Sequence, residues 1–75
     1  MARVGLVGER VWRLRKRQQS VDAILHGRTD GGVTLEYVYN GRRITRRVWA
    51  TRDEAMSAAT EKRRELERAG WAMHW

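Results

Sequence analysis

Cysteine is missing from this 75-residue chain. Neither a disulfide nor a thiolate metal site can therefore support the fold, which suits a reducing compartment. Long apolar runs are missing too: none approaches the ~20 residues that a membrane span requires. The first eight residues are too short for a secretory signal, so a cytoplasmic protein with no membrane partner is expected. The two histidines, His26 and His74, stand in no cluster of histidine and carboxylate at ligand spacing, and no metal or other cofactor is expected. Ser20 and Ser57 read as a turn residue and an exposed helix residue, with no histidine and acid arranged to make either a nucleophile, so no catalytic residue is assigned. No repeat, low-complexity tract or linker divides the chain. A domain of this length buries roughly 60% of the surface of its unfolded chain. Its few bulky apolar residues can fill one layer between a small sheet and one helix. Little is left to line a substrate cavity, which points away from an enzyme.

Positive charge is plentiful. The chain carries 14 arginines against 2 lysines, a net charge of +7 and a pI near 11.3. Arg13, Arg15 and Arg17 fall at every second position, and Arg43 and Arg47 bracket Thr45 further on. Strand side chains alternate between faces, so this spacing can gather the arginines on one open face of a sheet.

Residues 1–8 hold two glycines and no clear period, and read as a flexible arm ahead of a single domain over residues 9–71. Residues 10–17 alternate, with Trp12 and Leu14 facing one way and the arginines the other. Val21, Ala23 and Leu25 resume the pattern. A two-residue loop at Gln18-Gln19 would set Leu14 opposite Ala23, Trp12 opposite Leu25 and Arg15 opposite Asp22. Residues 27–32, Gly-Arg-Thr-Asp-Gly-Gly, are the clearest loop. Glycine amides can cradle phosphate, but no helix follows and no Lys-Ser/Thr pair is present, so the loop reads as a plain connection.

A β-branched and aromatic strand follows over Val33–Tyr39. Asn40-Gly41 is a strong type I′ hairpin signal, and the returning strand runs over residues 42–50. Regular pairing would place Tyr37 opposite Ile44 and Val33 opposite Val48 on the core side. Glu36 with Thr45, Val38 with Arg43, and Thr34 with Arg47 would lie on the open side. Arg46 would then face the core opposite Leu35, an awkward position that either snorkelling or a β-bulge would relieve.

Thr51-Arg52-Asp53-Glu54 is a capping box that starts a helix. Ala55, Ala58, Ala59, Leu66 and Ala69 form its apolar stripe, interrupted by Lys62. Gly70 reads as the residue beyond the C-cap, with Trp71 packing back on Leu66 in a Schellman ending. Residues 72–75 are left as a tail, in which Trp75 could meet a partner, stack on a base or fold back over the helix. The expected fold is α+β: an antiparallel sheet of about four strands in two hairpins with one C-terminal helix across one face, ββββα.

An arginine-rich open face is the footprint of a nucleic-acid binder. Arginine binds phosphate bidentately and stacks on bases. The candidate contacts are Arg13, Arg15, Arg17, Arg43, Arg47 and Trp49, with DNA placed ahead of RNA. An acidic protein surface would suit the same face, as for a phage- or plasmid-encoded inhibitor or adaptor. Strands followed by a helix that opens on Val48-Trp49-Ala50-Thr51-Arg52-Asp53-Glu54-Ala55 resemble the N-terminal arm-binding domains of tyrosine integrases and AP2-like domains. Those domains read the DNA major groove with a sheet face. The resemblance implies that Arg13, Arg15, Arg43 and Arg47 face the groove. The same stretch, continued to Gly70-Trp71, is similar to the end of WGR domains, although the Trp-Gly-Arg motif is absent. Either resemblance covers about half the chain.

Overall fold

The alternation of the sequence becomes a five-stranded antiparallel sheet with one helix on one face. The computed structural model describes residues 8–73. The elements are β1 (Glu9–Lys16), β2 (Gln19–Gly27), β3 (Val33–Tyr39), β4 (Arg42–Trp49), α1 (Arg52–Arg68) and β5 (Ala72–Met73). Strand order is β4-β3-β2-β1-β5. The four long strands and the helix follow the expected α+β plan. Ala72 and Met73, assigned to the tail by sequence, add a short fifth strand opposite Arg15 and Leu14 of β1. The arm over residues 1–7 and the terminal His74 and Trp75 lie outside the described residues. No helix among the described residues is long and apolar enough to cross a membrane.

The core is built from alternate residues of the strands. Trp12 and Leu14 of β1, Val21, Ala23 and Leu25 of β2, and Leu35 of β3 are buried against Ala55 and Ala59 of α1. The two alanines let the helix backbone approach closely enough for the buried Trp12 indole N–H to donate to the Ala59 carbonyl at 2.9 Å. That bond satisfies a polar group which would otherwise be orphaned in the core.

Both helix ends fall where the sequence places them, with only the Thr51 half of the capping box formed. The Thr51 hydroxyl accepts from the Glu54 amide at 3.1 Å, and Asp53 and Glu54 sit where the helix dipole favours anions. At the other end Trp71 N donates to Leu66 O at 3.0 Å and Gly70 N to Glu67 O at 3.1 Å, the paired bonds of a Schellman motif. Gly70 takes φ of +103°, which a side chain would strain. Trp71 then packs edge-on to Tyr39 with ring centroids 5.8 Å apart. Lys16 adds a cap of its own, its ammonium donating to Ala69 O at 2.8 Å where the dipole favours a cation. Lys62, the break in the helical stripe, turns aside to pair with Glu65 at 2.9 Å.

Two registers differ from the sequence expectation. The first hairpin turns at Arg17-Gln18, one residue early. Leu14 therefore faces Val21, Trp12 faces Ala23, and Arg13 rather than Arg15 faces Asp22. A slide of two residues leaves every side chain on its own face, so alternation alone could not distinguish the two pairings. An irregularity at Val11 then shifts the register by one residue and sets Arg10 opposite Ile24.

In the second hairpin Asn40 and Gly41 take φ of +50° and +81°, as a type I′ turn requires. Asn40 also exchanges bonds with Ser20, donating its amide to the Ser20 carbonyl and accepting the Ser20 amide on Oδ1, both at 2.9 Å. Val38 faces Arg43 as expected, but a bulge at Ile44 then advances β4 by one residue. Tyr37 faces Thr45, Glu36 faces Arg46, Leu35 faces Arg47, Thr34 faces Val48 and Val33 faces Trp49. The bulge resolves the misfit at Arg46 by exchanging faces. Arg46 moves out beside Glu36, while Arg47 and Trp49 move to the helix side.

Candidate nucleic-acid interface

The face of the sheet turned away from α1 carries Arg13 and Arg15 from β1, Asp22 and His26 from β2, Thr34 and Glu36 from β3, and Arg43 and Arg46 from β4. Its centre is acidic and its two flanks are basic. Arg13 donates to Asp22 through Nε at 2.8 Å and Nη2 at 3.2 Å. Those bonds, and then the charge of Asp22, raise the guanidinium above its usual pKa. Glu36 is only 8% exposed and Thr34 3% exposed. Around the Glu36 carboxylate stand His26 Nε2 at 3.2 Å, Arg43 Nε at 3.5 Å and Arg46 Nε at 3.8 Å. The two arginines offset part of the cost of enclosing a carboxylate. A hollow of about 400 Å³ opens between this cluster and the loop after β2.

That loop is closed on itself. Arg28 N donates to Gly32 O at 3.0 Å, Gly31 N to Arg28 O at 3.3 Å, and Gly32 N to Asp30 Oδ1 at 3.1 Å. The Arg28 guanidinium binds Asp30 and, with the Gly32 amide, lowers its carboxyl to about 2. Three of its amides, those of Arg28, Gly31 and Gly32, are engaged within the loop itself, as suits a plain connection.

The candidate residues separate into three groups. Arg15, Arg17 and Arg43 stand exposed on the helix-free face or at its end, and Arg15 and Arg17 have no carboxylate partner among the described residues. Arg13 shares that face but is engaged by Asp22. Arg47 and Trp49 do not belong to it: the Arg47 guanidinium lies 4.1 Å from the centroid of the half-buried Trp49 ring on the helix side. Arg46 takes the place expected for Arg47. Its clue in the sequence was the misfit it would have made opposite Leu35.

Charge is divided sharply between the two layers. In α1 the carboxylates Asp53, Glu54, Glu61, Glu65 and Glu67 equal in number the cations Arg52, Lys62, Arg63, Arg64 and Arg68. Helix pairs such as Arg64–Glu61 at 3.5 Å and Arg63–Glu67 at 3.9 Å use these charges locally. The helix is neutral, so the net +7 of the chain resides outside it. The aromatic residues divide the other way. Trp12, Tyr37, Tyr39, Trp49 and Trp71 pack in or against the core on the helix side. Among the described residues the basic face presents no Trp or Tyr ring; its one ring is the His26 imidazole, engaged by Glu36. No group of three His, Cys, Asp or Glu residues among them could hold a metal ion. No family model, curated protein or solved structure matches the chain.

Proposed function

We propose that this chain is a small non-enzymatic nucleic-acid-binding domain that meets the phosphate backbone with the helix-free side of its sheet. The observation that carries the reading is the segregation of charge: a neutral helix on one side, and exposed arginines of β1 and β4 on the other. Arg15 and Arg17 form one flank of the contact, and Arg43 and Arg46 the other. Arg13 holds the sheet surface through Asp22. Three strand spacings separate the flanks, about 14 Å, close to the ~12 Å width of a DNA major groove. The one ring between them, His26, is engaged by Glu36, and the lack of a Trp or Tyr platform favours a duplex over a single strand. The resemblance to sheet-reading arm-binding domains points the same way.

The backbone at Arg17 gives further support. This residue turns the first hairpin with φ of +59°, a conformation that glycine or asparagine adopts more cheaply. The arginine there places its charge at the tip of the basic face at some local cost, as happens at functional positions.

The test is a salt titration of a fluorescent DNA duplex by anisotropy. Four arginines neutralising one phosphate each predict a slope of log K against log salt of roughly −3 to −4. No binding to duplex DNA or RNA at low salt would refute the proposal.

A further inference from the structure

The buried alanines of α1 lie against β1–β3, and β4 stays exposed along its length up to the half-buried Trp49. Between α1 and β4 runs a groove of about 770 Å³. Tyr37, Tyr39 and Trp49 form its floor, all half-buried, and Arg47 stands on its strand-side rim. Among the described residues no strand pairs with the outer edge of β4, so a row of backbone donors and acceptors borders the groove. The Trp49 indole N–H is closed to solvent and has no acceptor among the described residues. An apolar floor beside an open strand edge is the arrangement that receives an added strand.

Charge decides which strand. β4 carries Arg42, Arg43, Arg46 and Arg47 and no acid within its eight residues. A second copy of β4 laid against the first would bring two such rows together, and like charges oppose that pairing. An acidic strand is attracted by the same row. The bulge at Ile44 interrupts the edge, and residues 45–49 remain as its regular part. Side chains of an added strand alternate between faces. One set would cover the aromatic floor; the other would lie beside Arg46 and Val48. Arginines and a bulge also discourage indiscriminate edge pairing, which makes this edge selective rather than shut.

We infer that the β4 edge and its groove bind an extended acidic segment of a partner protein, with apolar residues at alternate positions, as an additional strand. This site shares Arg46 with the proposed phosphate-binding face, but its strand edge and aromatic floor lie outside that face, so either reading can fail without the other. The test titrates isotope-labelled protein with a short acetylated peptide alternating leucine and glutamate, followed by amide NMR. Saturable shifts are expected at residues 45–49 and at the Trp49 indole. Replacing glutamate by lysine in the peptide, or methylating alternate backbone nitrogens, should abolish them. Arg47→Glu in the protein should weaken binding roughly tenfold by turning attraction into repulsion at the rim. The absence of saturable shifts, shifts confined to Arg15, Arg17 and Arg43, or equal binding of the methylated peptide would overturn the inference.

Discussion

Replacing Glu36 by glutamine removes the negative charge that Arg43 and Arg46 share from 3.5 and 3.8 Å. The side chain keeps its shape and an oxygen to accept a hydrogen bond, so His26 retains a partner. The stability cost is bounded by the exposure of the two arginines, 59% and 58% for their side chains. Pairs this open contribute about 0–1 kcal/mol each. In a domain of this size each kcal/mol lowers the melting temperature by roughly 4–8 °C, so the variant should remain folded at 25 °C. Binding should strengthen, because two guanidiniums lose a competing anion and the face gains one net positive charge. Arg43 and Arg46 are already among the four phosphate contacts, so the slope of log K against log salt should stay at roughly −3 to −4 while K rises at every salt concentration. The assay is anisotropy with the same duplex across a salt series, with circular dichroism to confirm the fold. Weaker binding or a flatter slope in a folded Glu36→Gln variant would refute the placement of the phosphate contacts around Glu36.

Three further predictions concern the frame that holds this face. Thr51→Ala should cost about 0.5–2 kcal/mol by leaving the Glu54 amide without its 3.1 Å acceptor; an unchanged thermal melt would contradict this cap. Replacing Asn40-Gly41 by Val-Val should cost roughly 1–2 kcal/mol at each position, since both take positive φ, and more because the bond from Ser20 N to Asn40 Oδ1 is lost; denaturant unfolding reads the loss, and a midpoint equal to the parent's would refute the turn. The Asp30 carboxyl, lowered from 3.8 to about 2, supports its loop at pH above its ordinary value and ceases to as pH falls toward about 2. An NMR titration should find its midpoint near 2, whereas a midpoint near 3.8 would contradict the Arg28 contact.

The sheet and helix were legible because they rest on local signals. Asn40-Gly41 demands positive φ, Thr51 and Glu54 mark a helix start, and Gly70 with Trp71 marks its end. The first hairpin slid because Gln18 and Gln19 carry no turn preference, and a two-residue slide leaves the hydrophobic face unchanged. The exchange of Arg46 and Arg47 lay one step beyond the pattern. A bulge at Ile44 has no residue signature of its own, and only the cost of burying Arg46 opposite Leu35 pointed to it. Trp49 followed the same shift to the helix side. The enclosure of Glu36 depends on His26, Arg43 and Arg46 arriving from two neighbouring strands, which no local spacing expresses. Arg15 and Arg43 were legible as candidates because strand alternation survives either register of the first hairpin and precedes the bulge in the second, whereas Arg17, expected on the strand, turns the hairpin instead.

The central claim is that position, not total charge, makes the basic face a nucleic-acid site. Changing Arg15, Arg17, Arg43 and Arg46 together to glutamine removes four positive charges from the helix-free side and its turn. Changing Arg64 and Arg68 to glutamine removes two from the exposed face of α1. The deciding measurement compares the salt slopes of duplex binding for these two proteins and the parent. The account predicts that the first variant loses nearly the whole slope, while the second keeps it and binds almost as the parent does. Equal losses per charge removed would contradict it.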